Sequence, residues 1–464
     1  MAHIVCLTGG LTGMLNASLA LVQQLQQAGH QVTYASPADL REPVTALGIP
    51  YVQLDRWVIQ SGDLPMNRWQ KLRSLPMRQQ RAVDALGVQH FGQTLQALSP
   101  DLILIDMEMH PHIMAAVQHP LPVALLCQFL SIWRRPNLPP IHTDIVPGQG
   151  WRGQRLGIEW TWLRYSWRKW QEFQRERWRR MGIDRLSILR CYARQLDYPW
   201  RDRWGHDQWL VPAPHGQLPI LCFNALELDF PHEPHPLMHY VGPMVLVDRP
   251  ESQVEAATHI ALEQLFAGRE SGERSLIYCA CSTFAQANRQ FLKQLMAAVA
   301  DCPHWDLVLG LGGQLDPSDL GDLPVNVHAF GWVPQLQVLK HADCAINNGG
   351  INSINECLYL GVPMLVYSLR RFDQNGNAAR IAYHGLGLVG DIASDDATQI
   401  RDHLQTLLTD AAYQTRVHKM RDRMHQYRQA NRAAQTVAAL LKALPREAIA
   451  VPSPGPLPYR TCEE

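Results

Sequence analysis

Residues 332–374 read WVPQLQVLKHADCAINNGGINSINECLYLGVPMLVYSLRRFDQ. In this stretch the apolar run Cys344-Ala345-Ile346 leads into Asn348-Gly349-Gly350-Ile351-Asn352-Ser353, and a helical pattern follows as far as Gly361-Val362-Pro363. Strand, glycine loop and helix in that order predict a parallel α/β unit. Its helix N-terminus suits a diphosphate, because the first N–H groups lack intrahelical partners and carry the positive end of the dipole. Gly349 and Gly350 let the backbone come close to such a ligand. Ser353 and Glu356 also have the S-x-x-E spacing of a capping box, a reading that needs no ligand. Packing does not require Trp332, Gln335, Asn352, Ser353, Glu356, Asp373 and Gln374 in this order, which favours a binding site.

Outward from this segment, strands and helices alternate. Leu276–Ala280, Asp306–Leu311, Val325–Ala329 and Met364–Tyr367 read as further strands of the same unit, and Cys281-Ser282-Thr283 as the loop after the first of them. The chain opens on a second unit of similar plan: a strand at 3–7, a glycine-containing loop Thr8–Met14, a helix Asn16–Ala28 ending at Gly29, and strands at Gln31–Ala35, Asp101–Asp106 and Pro122–Leu126. Ligands of such open parallel sheets sit beyond the carboxyl ends of the strands. With 464 residues, 46% of them hydrophobic, the chain is too long for one typical core. The expected division is a first domain over 1–245, a polar linker over 246–273, a second domain over 274–445 and a loose proline-rich tail over 446–464.

Forty-two basic and forty-two acidic residues cancel, so no global field draws the chain to nucleic acid. Ten cysteines lie scattered without the C-x-x-C pairs of a zinc site, and buried reduced thiols of a cytoplasmic protein are the simplest reading. No window is apolar over the roughly 18 residues of a membrane span, and the N-terminus has no secretory pattern. Residues 130–210 form a distinct insertion. Arg152–Arg180 carries nine Arg or Lys against three Glu, interleaved with Trp151, Trp160, Trp162, Trp167, Trp170 and Trp178. Trp160, Leu163, Trp167 and Trp170 share one helix face, a composition that suits a lipid interface and peripheral contact with a membrane, unless the stripe packs on the first domain.

The segment 332–374 resembles the nucleotide-sugar signature of UDP-glycosyltransferases, enzymes of GT-B architecture in which two Rossmann-like domains face each other across a cleft. Residues 274–391 are similar to this family throughout, including Asp373-Gln374-Asn375-Gly376-Asn377-Ala378-Ala379-Arg380; the first domain is similar more loosely, through Gly29-His30-Gln31-Val32-Thr33 and Tyr240-Val241-Gly242-Pro243. Bacterial zeaxanthin glucosyltransferases and macrolide-type glycosyltransferases look nearest. The resemblance implies a UDP-sugar co-substrate, with no other cofactor and no metal, and an apolar hydroxylated acceptor such as a carotenoid, a lipid or another secondary metabolite. Trp332 would stack on the base with the Val333 backbone at its edge, and Gln335 and Glu356 would hold the ribose. Asn348, Gly350, Asn352 and Ser353, with Ser282 and Thr283, would take the diphosphate. Asp373 and Gln374 would bind the sugar hydroxyls and favour glucose.

Two positions depart from the family pattern. Asn348 stands where a histidine is usual, and Gly13-Met14 stands where the catalytic histidine follows a glycine. Methionine accepts no proton, and a general base is worth about 10²- to 10⁴-fold. Asp106 matches the aspartate that orients that histidine, so Asp106, alone or with His110, is the candidate base for an inverting displacement. Two other readings stay open: a catalytically silent nucleotide-sugar-binding protein, and a sugar-nucleotide epimerase of the same architecture.

Overall fold

The computed structural model describes residues 1–58, 66–201, 204, 207–209, 211, 215–249, 254–268, 274–280, 289–313 and 315–443. Two parallel sheets organise the chain. The first holds β1 (His3–Leu7), β2 (Gln31–Ser36), β3 (Tyr51–Gln53), β4 (Leu102–Asp106), β5 (Val123–Cys127), β6 (Ile220–Cys222) and β7 (Met238–Tyr240), in the order β3-β2-β1-β4-β5-β6-β7. The second holds β8 (Ser275–Ala280), β9 (Trp305–Gly310), β10 (Val327–Phe330), β11 (Cys344–Asn347), β12 (Met364–Val366) and β13 (Gly387–Val389), in the order β10-β9-β8-β11-β12-β13. Both are Rossmann-like, and each reverses its strand order once, between β1 and β4 and between β8 and β11. Those reversals open the crevices in which doubly wound folds bind ligands.

Burial follows the strand period of two. Val5, Leu7, Ile103, Ile105 and Leu125 enter one core, while Ile4, Cys6, Leu102, Leu104 and Leu126 enter the core on the opposite face. Helices cover both faces, which is why these strands read as unbroken apolar runs. Cys6, Cys127, Cys222 and Cys344 are buried thiols outside any disulfide, and Cys279 is buried as well; Cys281 lies outside the described residues.

The division along the chain differs from the expected one in two places. The stretch expected to be a linker contains the helix Ala256–Ala267, whose Leu262 is buried in the second domain's core and whose Phe266 ring stacks on His341 at 4.0 Å. Few apolar residues sufficed to dock it, so its composition looked polar. The helix Arg432–Ala443, expected in the second domain, returns to the first: Ala433, Ala434, Val437 and Leu440 enter the core formed by Leu21, Val22 and Leu25 of the helix Thr12–Gln27. The expected tail lies outside the described residues beyond 443.

A buried ion pair joins the domains. Arg380 Nε donates to Asp229 at 2.7 Å, its Nη1 donates to the Gly376 carbonyl at 2.9 Å, and its guanidinium lies 4.5 Å from the Phe230 ring. Ser131 N–H completes the carboxylate at 3.1 Å. Arg380 is 1% exposed and Asp229 2%. Removing one partner strands a buried charge, whereas replacing both with apolar groups is often close to neutral. Arg380→Leu is therefore expected to cost about 3–5 kcal/mol in denaturant unfolding, and Arg380→Leu with Asp229→Leu to recover most of that loss.

Candidate active site

The site is assembled from strand ends at the two reversals. β11 ends at Asn347, and the helix Ile351–Leu360 begins after Gly350, its N-cap, which supplies no side-chain cap. The first-turn N–H groups of Ile351, Asn352 and Ser353 precede the first helical bond, Ile354 N–H to the Gly350 carbonyl at 3.1 Å. The capping box expected of Ser353 and Glu356 is not formed, because the cap position is Gly350 and Glu356 is used elsewhere. Gly350 N–H, expected to face the diphosphate, donates instead to Asn348 Oδ1 at 3.3 Å. Asn348 thus shapes the loop, and the donors left for an anion are the N–H groups one to three residues further on.

The opposite wall is the helix Thr12–Gln27 of the first domain. It too starts without a side-chain cap, at Leu11, and neither helix has an acidic residue in its first turn. The two N-termini meet. A Cβ on Gly13 would lie 2.4 Å from Asn352 Nδ2 and would push that amide aside, and Asn352 Nδ2 donates to Gln128 Oε1 at 3.2 Å. One turn on, Asn355 Nδ2 donates to Asn224 Oδ1 at 2.8 Å and locks the contact. Sequence reading missed Gln128 and Asn224, which lie more than 130 positions from their partners and carry no local signal.

The other residues expected at the donor site lie on neighbouring elements. Trp332 is 42% exposed and offers an indole shelf over Gly313, with Val333 beside Gly310. Gln335 Nε2 donates to Glu356 Oε2, and Tyr278 hydroxyl donates to Gln335 Oε1 at 3.2 Å. Arg249, from the segment between the domains, donates to Glu356 Oε1 at 2.8 Å, an unforeseen neighbour of the expected ribose carboxylate. Asp373 accepts from Asn377 Nδ2 at 2.8 Å, and the same amide reaches the Gly349 carbonyl at 2.9 Å, which ties the expected sugar residues to the glycine loop. Gln374 Oε1 takes the N–H groups of Leu369 and Arg371 at 3.2 and 3.3 Å, so its amide nitrogen is the group left for a ligand. Ser282 and Thr283 lie outside the described residues.

On the first domain, Met14 is 2% exposed and packs into the core, so it takes no part in proton transfer. Asp106 ends β4 at the reversal and is 6% exposed. Its Oδ1 accepts Glu108 N–H at 3.1 Å. Burial pushes its carboxyl up to about 6, opposed by N–H groups of Glu108 and Gly9. His110 and His112 are both buried, not turned to solvent. His110 Nδ1 shares a proton with His215 Nε2 at 3.1 Å, and His215 Nδ1 meets the Tyr198 hydroxyl at 2.8 Å. Burial first, then the neighbouring His215, holds His110 neutral. No hydrogen bond joins it to Asp106 among the described residues, so an Asp106–His110 couple is not built.

Known proteins are similar to this chain in sequence and in fold. Residues 293–442 match the family described as Erythromycin biosynthesis protein CIII-like, C-terminal domain. The fold is similar to the glycotransferase of kitacinnamycin, with a TM-score of 0.66 at 21% identity over 95% of this chain and 98% of that one. In sequence the chain is 25% identical to oleandomycin glycosyltransferase of Streptomyces antibioticus over 450 residues, 95% of this chain and 91% of the relative. The chain has the GT-B fold and is similar in sequence to glycosyltransferases along most of its length. Its likeness also extends to zeaxanthin glucosyltransferase of Pantoea ananas, 23% identical over 446 residues, 90% of this chain and 91% of that one. The relatives thus include an oleandomycin and a zeaxanthin transferase.

The buried Asp106 gives the protein a pH-dependent stability. A carboxyl raised in the folded state stabilises while protonated, and that contribution is lost as pH rises from its unfolded value near 3.9 through about 6. Asp106→Asn is expected to unfold later than wild type above pH about 6, by the order of 3 kcal/mol, and to lose that advantage toward pH about 4. Thermal and denaturant unfolding across this range measure it.

Proposed function

We propose that the protein transfers a hexose, glucose in the first instance, from a UDP-sugar to a hydroxyl of an apolar acceptor, with inversion at the anomeric carbon. The observation that carries this reading is the meeting of two uncapped helix N-termini, one from each domain, at Gly13 and Asn352. Two positive dipole ends with no acid between them suit a diphosphate, first as part of the donor and then as leaving group. Trp332 would take the base and Gln335 with Glu356 the ribose. Asp373 and the Gln374 amide would hold the sugar. The acceptor hydroxyl would give its proton to Asp106 as its oxygen attacks the anomeric carbon and the bond to the diphosphate breaks.

Asp106 serves here without a histidine. At neutral pH its carboxylate is ionised yet more basic than an exposed aspartate, which suits a general base. The names of the two relatives, an oleandomycin and a zeaxanthin transferase, support an apolar acceptor. A carotenoid is the acceptor class we favour.

The test is release of UDP from a panel of UDP-sugars, with and without hydroxylated carotenoids, lipids and macrolides. Acceptor-dependent release from UDP-glucose is expected. Asp106→Asn should lower kcat by about 10²- to 10⁴-fold, and wild-type kcat/KM should fall below pH about 6 as Asp106 takes a proton. Binding of UDP-sugars with no release for any acceptor would instead identify a silent nucleotide-sugar-binding protein, the reading that Met14 in place of the family histidine favours.

A further inference from the structure

We propose that the outward face of the helix Arg155–Arg180 docks on an anionic lipid bilayer. The helix is built inside out for a water-exposed element. Its inward face buries Ile158, Trp162 and Lys169; Trp162 Nε1 donates to the Leu138 carbonyl at 2.8 Å, and Lys169 reaches the Trp209 carbonyl and Asp207. The opposite face carries Leu156, Trp160, Leu163 and Trp167, which are 84, 61, 56 and 58% exposed. Steps of four, three and four residues align them in one stripe. Trp170 extends the stripe and stacks on Trp167 with centroids 5.1 Å apart. A water-facing helix has polar residues here, so a contiguous outward apolar stripe marks a surface with a partner.

Charge identifies that partner. At 100° per residue, Arg164, Arg168 and Arg175 fall along one flank of the stripe, and all three are exposed. Glu159, on the other flank, is paired with Arg134, and Arg177 falls on that same flank about 27 Å further along the helix. Indole rings flanked by guanidinium groups fit the headgroup layer of a membrane, where the ring buries its apolar body and the cation meets phosphate. A second copy fits less well, because an antiparallel pairing of two such helices brings their arginine flanks together. No helix among the described residues is long and apolar enough to cross a membrane. The helix, about 39 Å long for its 26 residues, would lie in the plane of the interface.

The surface also communicates with the cleft. The helix packs on the loop that follows β5, where Tyr165 lies 4.7 Å from the His142 ring, and the carbonyls of Ile141 and His142 touch Gly376 and Asn375 just beyond Asp373-Gln374. An apolar acceptor dissolved in the bilayer would thus approach the sugar end of the cleft. The docking surface does not rest on the transferase reading: vesicle binding tests the one, UDP-sugar turnover the other.

The experiment is flotation of the full-length protein with vesicles of phosphatidylcholine alone or with phosphatidylglycerol added, with brominated acyl chains as a quencher of tryptophan emission. Flotation with the anionic vesicles, weakened by salt, and quenching of emission are expected. Trp160→Ser with Trp167→Ser should weaken binding by about tenfold, and Arg164→Gln, Arg168→Gln and Arg175→Gln together by roughly a hundredfold. Both variants should unfold and bind UDP as wild type does. Failure of the wild-type protein to float, or flotation of both variants at wild-type strength, overturns the proposal. A dimer in sedimentation velocity that the tryptophan variant dissolves, without flotation, would assign the face to a second copy.

Discussion

Two helix N-termini, each without a side-chain cap or a first-turn acid, are held against each other across the domain boundary at Gly13 and Asn352. Each carries roughly half a positive charge in aligned backbone dipoles. Facing each other, they repel unless an anion sits between them. That constraint explains why position 13 has no side chain, why Asn352 is anchored to Gln128, and why the nearby side chains are amides and hydroxyls, not lysines. An anion bound by backbone N–H groups is held firmly enough to position and gains charge on leaving, as a departing diphosphate requires.

Bringing the two ends together needs attachments elsewhere. The Asp229–Arg380 pair is buried almost completely, the Asn355–Asn224 bond lies one turn behind the junction, and the helix Arg432–Ala443 crosses back to pack on the same helix that presents Gly13. These contacts come from different stretches of chain, so the geometry of the cleft is set by the association of the domains as a whole. Asp106 opposes stability locally. Its burial makes the charged form costly, and a well-packed neutral side chain at the end of β4 would be the more stable choice. A carboxylate kept there at a cost to the fold supports the proposed role of Asp106 as a general base.

Much of this was legible in the sequence because parallel sheets write themselves as buried apolar runs followed by glycine loops. The strands around Leu102–Asp106 and Cys344–Asn347 and the glycine loop before the helix at Ile351 lie where the pattern puts them. Local chemistry read less well. Ser353 and Glu356 have capping-box spacing, but Gly350 sets the helix start one turn earlier than that reading needs. Contacts between distant segments left no signal at all: nothing in Gln128 announces Asn352, and Arg249 sat in a stretch that looked like a linker until it met Glu356. His110 looked like a partner for Asp106 by proximity in sequence. The turn after β4 sends its ring to His215 in the core instead.

Calorimetric titration of the protein with UDP and with uridine shows whether the junction of two helix ends holds a diphosphate. Both share the base and ribose contacts, and only UDP brings the anion. If the helix ends hold the diphosphate, UDP should bind at least about a hundredfold more tightly than uridine, with no added metal. Equal affinities would contradict the account, since the junction at Gly13 and Asn352 would then contribute nothing to binding.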